Sequence, residues 1–383
     1  MANTFTGLVK SQYTKTVQAL LEERLIGMDI CTMRNLETGN TLNNPRWVYL
    51  NTDSYTKYTD VTDQDLTYSN EQLVINQTPI ISFVYDEVDQ LDNSYDVIAI
   101  EAPKAAYRLK ISIEWNIFNE YSNAGTTQSA VVLSTSNTVS TYGDAYATLL
   151  NSGVDGDNIV TIVDPFQMSM IGQSALWNTF QVADASYKRG YKGEFQNTML
   201  YVSTNLTATA SLALATNPTE ADTVTINGVV FTFNATPSGA GSVDIGANAA
   251  ASVDNLVAAI NGGAGAGTTY IALSASDRAK LEGITATDNT TAIGLESKRG
   301  YKVLSSSLTA AGDKWGAVTI YNLMMEKWAI DLAIQKNVTL KVQDVPKQLW
   351  KRFMTWTRYG LKTFTEGAEK MLAQPITAQA AES

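Results

Sequence analysis

The sequence contains no histidine and only one cysteine, and these two absences exclude several classes of chemistry. Histidine is the commonest general base and metal ligand near neutral pH, so its absence argues against histidine-dependent catalysis and most zinc sites. Cys31 has no partner for an internal disulfide, which indicates folding in a reducing compartment. We interpret Cys31 as a small buried residue rather than a nucleophile. The sequence therefore predicts that the protein is not an enzyme.

Charge is also scarce, because only 17% of the residues are charged, against about 25% in an ordinary globular domain. Such a chain must bury much of its surface or share it with neighbours, as an assembling subunit or a secreted β-protein does. The net charge of −11 opposes adsorption to DNA, since that binding depends on clustered Lys and Arg. Acidity that serves only solubility is an equally good interpretation.

Long apolar runs are missing as well. No stretch reaches the roughly 18 apolar residues needed to span a bilayer. The first 15 residues lack the apolar core of a signal peptide. We therefore expect a soluble protein with no membrane partner.

Acidic and glycine-rich clusters are present, but none has the spacing of a known site. Asp86, Glu87 and Asp89 lack the glycine turn and the further oxygen ligands of a calcium loop, which favours an exposed or intersubunit turn. The glycine-rich stretch 262–267 lacks the Lys and the Ser or Thr of a phosphate loop. The sequence predicts no catalytic, metal-binding or cofactor-binding residue.

Apolar periodicity predicts the main elements of the first 200 residues. A helix is expected over 8–27, ending at Gly27, and a second over 103–121, beginning at Pro103. The second helix is apolar on so much of its surface that it must be buried on most sides. Shorter helices are expected over 140–150 and 166–175, and strands over 80–85, 158–163 and 198–203.

A projecting hairpin is predicted where two β-rich segments, 46–50 and 72–75, flank a long polar stretch. A lone two-stranded hairpin cannot cover its own apolar side chains. Aromatic residues in such a thin segment need cover from elsewhere, and interfaces are enriched in them. We therefore expect intersubunit contacts at Trp47, Tyr49, Tyr55 and Tyr58.

The composition changes near Thr204 and changes back near Lys298, which indicates an inserted module with its own small core. Its clearest signal is the hairpin 223–233, where Asn227 and Gly228 suit the two positive-φ positions of a type I′ turn. A helix is expected over 252–260, with Ser252 as its cap and Gly262 as its stop.

The C-terminal region is predicted to form strands over 316–321 and 338–343, then a strand, bend and strand over 352–364. The tail from Thr377 is expected to be disordered. Seven basic and aromatic residues fall close together here. We favour a sheet with aromatic side chains inward and cations exposed over contact with DNA by charge and stacking. These residues are Lys347, Trp350, Lys351, Arg352, Trp356, Arg358 and Lys362.

The order of these segments resembles the major capsid proteins of tailed phages, which have the Hong Kong 97-type shell fold. The segment from Arg46 to Ile75 is similar to the family's extended loop, and 83–90 looks like its strand with an acidic turn. The helix that follows resembles the spine helix, while 163–165 and 199–206 resemble the axial domain. The stretch 359–364 is similar to the closing strand. No single motif is specific, but the ordered set covers most of the chain outside 205–297.

The resemblance implies an α+β capsid fold with an N-terminal arm, an extended β-hairpin loop, a peripheral domain with a long spine helix, and an axial domain. A small β-rich α/β domain is inserted in it. The domains expected are the arm at 1–40, loop at 41–78, peripheral domain at 79–124, axial domain at 125–203, insert at 204–298, and return to the axial and peripheral domains at 299–383.

The function implied is self-assembly, as pentamers and hexamers, into the icosahedral shell around the double-stranded DNA of a tailed bacteriophage. Expected partners are portal, scaffolding and decoration proteins and the packaged DNA, bound without sequence specificity. The expected location is the virion, and the host cytoplasm during assembly. An encapsulin-like bacterial compartment and a secreted β-rich adhesin are the alternatives. No cofactor is expected, and no cross-linking residue is assigned.

Overall fold

The computed structural model describes residues 25–47, 50–88, 97–173, 191–195, 198–301, 304–308, 310, 312–344 and 349–378. Most of the predicted helix over 8–27 therefore falls outside the described residues, as does Tyr49. The helices within them are α1 (Gly27–Ile30), α2 (Val97–Asn119), α3 (Thr138–Asn151), α4 (Pro165–Gln173), α5 (Ala249–Asn261), α6 (Ala275–Lys280) and α7 (Thr365–Glu369), and a 3-10 turn over Glu120–Asn123 follows α2.

The strands of the first half are β1 (Thr32–Asn35), β2 (Thr41–Trp47), β3 (Tyr68–Val74), β4 (Ile80–Asp86), β5 (Thr126–Thr127), β6 (Ile159–Val163), β7 (Tyr191–Phe195), β8 (Thr198–Val202) and β9 (Ala208–Ala213). Those of the second half are β10 (Thr223–Ile226), β11 (Val229–Asn234), β12 (Ser242–Asp244), β13 (Ile284–Asp288), β14 (Ala292–Ser297), β15 (Leu304–Ser306), β16 (Val318–Glu326), β17 (Asp331–Asp344), β18 (Trp350–Lys362) and β19 (Met371–Ala378).

Two sheets form the body of the molecule. The larger has the order β13-β14-β9-β16-β6-β8-β7, with β19 also pairing with β16 and β5. The smaller has the order β1-β17-β18-β4. Helix α2 packs between them through Ile113, Ile117 and Phe118, which share a core with Ile30 and Tyr359. Strand β6 is buried along its whole length, as its continuous run of apolar and β-branched residues predicts.

The hairpin predicted over 223–233 is confirmed. Strand β10 pairs antiparallel with β11, and Asn227 and Gly228 between them have φ values of 50° and 78°. The helix predicted nearby is confirmed as α5, which ends at Gly262 in the left-handed conformation. Its cap, however, is Asn248, whose side chain accepts the backbone N–H of Ala251 at 3.0 Å. Ser252 is buried within the helix instead.

The core of this module continues beyond residue 298. Leu304 and Trp315 are buried in the same cluster as Phe231, Phe233 and Leu256. Strands β13, β14 and β9 also extend the large sheet, since β9 pairs with β16. The module therefore has its own core, but its backbone is hydrogen-bonded to the body.

Four expectations about element ends are wrong. Helix α2 begins at Val97, so Pro103 lies inside it, and the removal of one backbone N–H is tolerated there. Gly27 begins α1 rather than ending a helix, because its backbone lies against α2: an added Cβ would meet Ile117 Cδ1 at 3.1 Å. Strand β18 runs through 350–362 without the expected bend, and Thr377 belongs to β19. Residues 379–383 lie outside the described part.

Candidate functional site

The hairpin formed by β2 and β3 pairs with no other strand of the described residues. Its seven register pairs run from Thr41 with Val74 to Trp47 with Tyr68. Beyond them, residues 50–67 have no strand structure. Within this segment the Gln64 side chain accepts the Asn51 backbone N–H at 2.8 Å and donates to the Asn51 carbonyl oxygen at 2.7 Å. We call residues 50–67 the hairpin tip. The structure thus contains a long, thin projection from the body.

Large apolar side chains are exposed along this projection. Trp47 is 60% exposed, Tyr55 70% and Tyr58 90%. Tyr49, the fourth residue expected at a contact, lies outside the described residues. The Trp47 ring lies against that of its cross-strand partner Tyr68, with ring centroids 5.5 Å apart, and Tyr68 is itself exposed. Further apolar side chains of the same segment are exposed although none was expected at a contact; the apolar residues scattered through this polar stretch were the available signal. The exposed side chains are Leu50, Val61, Leu66 and Tyr68.

Isolated exposed apolar residues are ordinary, but a contiguous exposed set is typical of a protein interface. Burying one large side chain contributes about 1.5–3 kcal/mol. A two-stranded ribbon has no second layer that could supply this burial. The projecting hairpin is therefore suited to binding another protein surface.

The hairpin tip is also acidic. It carries Asp53, Asp60, Asp63 and Asp65 against the single cation Lys57. Lys57 lies over the Tyr58 ring, with Nζ 5.1 Å from the ring centroid. None of the four aspartates forms an ion pair within the described part of the chain, so their charge is available to a partner.

The base of the hairpin is fixed to the smaller sheet. Leu73 and Ile75 are buried with Ala333 and Phe364. Strand β18 comes so close that a Cβ at Gly360 would lie 2.4 Å from the Val74 carbonyl oxygen and 2.9 Å from Ile75 Cα. Only glycine fits at this backbone contact.

Gly360→Ala is expected to lower the free energy of unfolding by about 2 kcal/mol or more, because backbone rather than a movable side chain opposes the methyl group. Urea unfolding followed by tryptophan fluorescence measures the change. Gly312→Ala is the matched control, since a Cβ there meets nothing within 4 Å. Equal stability of the two variants would contradict the close contact.

Helix α7 provides polar contacts to the same base. The Glu71 carboxylate accepts the Thr365 backbone N–H at 3.0 Å and also the Thr365 hydroxyl. Arg46 on the paired strand approaches Glu366 at 3.5 Å and Glu369 at 3.6 Å. The hydroxyl bond, followed by the backbone bond, holds the pKa of Glu71 below its ordinary value of 4.5. The contact therefore favours the ionised carboxylate.

This lowered pKa predicts a small acid sensitivity. A carboxyl group whose pKa is lower in the folded state stabilises the fold above its ordinary pKa, and this stabilisation is lost as the pH falls through the folded-state pKa. Because Glu71 is largely solvated, we expect less than about 1 kcal/mol. Glu71→Gln should show a weaker fall in stability than the wild type when denaturant melts at pH 7 and pH 3 are compared. An equal fall in stability between pH 7 and pH 3 for the two proteins would exclude a contribution from Glu71.

Other chemically interesting residues are accounted for by structure. Cys31 is 2% exposed, and burial, followed by the charge of Asp331, raises the pKa of its thiol, so the thiol stays protonated.

The acidic turn expected over 86–89 forms contacts within the chain. Asp86 accepts the Val88 N–H at 2.9 Å, Glu87 pairs with Lys351 at 2.6 Å, and Asp89 lies outside the described residues. Among the residues that the structure describes, no three acidic or cysteine side chains gather as a metal site would require. No helix there is long and apolar enough to cross a membrane.

The basic-aromatic run of the C-terminal region differs from the expectation. Alternate residues of β18 share a face, and Trp350, Arg352, Trp356 and Arg358 fall on the same, outer one. The opposite face is buried, and its Phe353 stacks on Phe83 at 5.2 Å. Tryptophans and cations therefore lie side by side, not on opposite faces. Of the remaining three residues, Lys351 is on the other face, and Lys347 lies outside the described residues. Lys362 ends β18, with its Nζ 5.9 Å from the centroid of the Phe364 ring.

No family model matches the sequence, and no curated protein matches it. Solved structures do match along almost the whole chain. The capsid of cyanophage P-SCSP1u is 11% identical with a TM-score of 0.58, covering 100% of this chain and 96% of that chain. A chain of Mycobacterium phage Che8 is 10% identical with a TM-score of 0.57, covering 97% and 98%. The mature capsid of bacteriophage PhiM1 is 8% identical with a TM-score of 0.54, covering 96% and 91%.

At these identities the likeness establishes the fold, and its coverage leaves no large part of the chain unmatched. The predicted phage capsid fold is therefore confirmed at the level of the whole chain. This protein has the mixed α+β fold of phage capsid chains.

Proposed function

We propose that this protein is the major capsid protein of a tailed bacteriophage and assembles into the icosahedral shell around the double-stranded DNA genome. The observation that carries the proposal is the match to phage capsid chains over 96–100% of this chain. The projecting hairpin with its exposed aromatic residues supports it independently. A structural subunit also fits a chain without histidine.

In this role the hairpin is the main contact between neighbouring subunits. Trp47, Tyr55 and Tyr58, together with Tyr49, become buried against the next copy. Leu50 and Tyr68 extend the same apolar surface. Closed symmetry repeats each modest contact many times, so the shell is stable although a single hairpin is small.

The remaining partners follow from the same role. Copies form pentamers and hexamers, and portal and scaffolding proteins take part in assembly in the host cytoplasm. The net charge of −11 suits a wall in the virion that must hold DNA without adhering to it. The module that begins near Thr204 decorates the outer surface or receives a decoration protein.

Overexpression followed by analytical ultracentrifugation and negative-stain electron microscopy tests the proposal. Closed particles of uniform diameter are the expected result. A folded monomer that persists at high concentration, with and without a co-expressed scaffolding protein from the same genome, would overturn it. Nucleic acid inside particles purified from infected cells separates a virion from a bacterial compartment.

A further inference from the structure

We propose that Arg108 and Arg299 bind a small oxyanion, such as inorganic phosphate, where the inserted module packs on helix α2. The site lies within one chain, so it is independent of the proposed assembly into a shell. We call the two guanidinium groups, together with the turn 280–283 that they approach, the junction site.

Two turns of the module lie against α2. Gly283 has a φ of 79°, and a Cβ there would meet Cζ3 of the Trp115 ring at 3.3 Å, so the turn 280–283 packs closely on the helix. The second turn is joined to the first where the Lys298 backbone N–H donates to the Gly283 carbonyl oxygen at 3.0 Å. The backbone next to Arg299 is therefore held at the surface of α2.

Both guanidinium groups approach the same turn. From α2, Arg108 forms an ion pair with Glu282. From the module, Nη2 of Arg299 donates to the Lys280 carbonyl oxygen, two residues earlier in the turn. Two positive side chains from separate elements thus converge on a turn that supplies one carboxylate.

The charge of Arg299 is not compensated within the described part of the chain, where no carboxylate pairs with it. The residue is half-buried, and its Nε–H is shielded from solvent and has no acceptor among the described residues. Burial, followed by the charge of Arg108, lowers the pKa of the Arg299 guanidinium below its ordinary value of 12.5. A partly buried cation in this state costs free energy unless an anion pairs with it.

Lys298 adds a further positive charge beside α2. Its Nζ donates to the amide oxygen of Asn116 on that helix at 3.2 Å, and no described carboxylate forms an ion pair with it. Arg108, Lys298 and Arg299 therefore stand against the single carboxylate that pairs here. The junction is locally positive on a protein of net charge −11.

An oxyanion supplies what the two guanidinium groups lack. Guanidinium groups bind phosphate oxygens through paired N–H bonds, and a shared anion offsets the repulsion between two cations. The Arg108 side chain is only 38% exposed, which favours a small ion over a large ligand. Because Arg108 belongs to the body and Arg299 to the module, a bound ion ties the two together and stabilises the fold as its concentration rises.

Water is the competing occupant. It can solvate the exposed N–H groups of Arg108 and Arg299, but it leaves their charge uncompensated. The two occupants differ in their response to phosphate, because only a bound anion makes the stability depend on phosphate concentration through these residues.

Thermal unfolding of the full chain in phosphate and in chloride, at equal ionic strength and pH 7, tests the site. Phosphate is expected to raise the melting temperature of the wild type by about 2 °C or more. Arg299→Gln should lose most of this rise. Arg352→Gln is the matched control, since Arg352 is also an arginine without an ion pair among the described residues but lies exposed on β18, so this variant should keep the full rise.

Titration calorimetry with inorganic phosphate gives a second readout, which a merely destabilised variant would not reproduce. Glu282→Gln removes the carboxylate that opposes the anion, so phosphate should bind about threefold tighter or more. Phosphate acting on the whole surface as an excluded salt would raise the melting temperature of wild type and Arg299→Gln equally, and that result would overturn the proposal. Failure of the wild type to bind phosphate at millimolar concentration, or unchanged affinity of Glu282→Gln, would overturn it as well.

Discussion

Deletion of residues 52–64 is expected to abolish closed particles while leaving the chain folded. The deleted segment contains Tyr55, Tyr58 and Val61, which are 70%, 90% and 63% exposed and contribute nothing to the four buried clusters of the body. Three large side chains buried at an interface are worth several kcal/mol per contact, at about 1.5–3 kcal/mol each. In a closed shell this loss is repeated at every neighbour. Electron microscopy of the purified variant gives the answer.

A point variant sharpens the test, because a deletion also changes the length of the hairpin. Tyr55→Ser with Tyr58→Ser keeps the backbone and the charge but removes the aromatic surface, so assembly should fall strongly. Val230→Ser is the control: this residue is 49% exposed on the β10-β11 hairpin, which belongs to a different sheet from β2 and β3. The melting temperature of the deletion variant, the double tyrosine variant and the Val230→Ser control should equal that of the wild type. Normal shells from the deletion variant would mean that the hairpin is dispensable.

Local signals in the sequence predicted those parts of the fold in which neighbouring residues determine the backbone. Asn227 and Gly228 specify a type I′ turn by their tolerance of positive φ, and the hairpin around them formed as expected. The continuous β-branched run of β6 likewise indicated a buried strand. These predictions hold because the interactions that decide them lie within a few residues.

Contacts between residues that are far apart in the sequence could not be predicted from local patterns. A bend was expected within 352–364, yet β18 is continuous there, and the missing Cβ of Gly360 allows the close approach of Val74, which lies far earlier in the sequence. The pairing of Lys336 with Arg358 depends on the register of β17 and β18, which includes irregularities that no local pattern reveals. The exposure of the hairpin aromatics could be argued from the sequence, because a two-stranded ribbon has no second layer to cover them.

The buried carboxylate of Glu114 makes another set of contacts that no local pattern could predict. Glu114 lies on α2 and is 1% exposed. One of its oxygens accepts the backbone N–H groups of Ile26 and Gly27 at 2.8 and 3.1 Å. The other accepts the Ser203 hydroxyl at 3.2 Å and the Asn205 amide at 3.1 Å. A single side chain thus joins the start of α1, the long helix and the exit of β8.

Glu114→Gln is expected to lower the free energy of unfolding by about 2–3 kcal/mol, because the amide NH2 group must face two donors on whichever side it lies. The cost should vary with pH in a defined direction. Burial raises the pKa of Glu114 above its ordinary value of 4.5, although the four hydrogen bonds oppose the shift. A carboxyl group with a raised folded-state pKa stabilises most below its ordinary pKa, and this contribution is lost as the pH rises through the folded-state pKa. The difference between wild type and variant should therefore shrink as the pH rises above 4.5.

Urea unfolding of both proteins at a series of pH values measures this difference. Glu101→Gln is the control on the same helix: Glu101 forms an exposed pair with Lys104, so its change should stay within about 0.5 kcal/mol. Since Glu114 holds Ile26 and Gly27 by their backbone, its loss should also speed hydrogen exchange at these two amides more than at the centre of α2. Unchanged exchange there, together with unchanged stability, would mean that the carboxylate does not hold the three segments together.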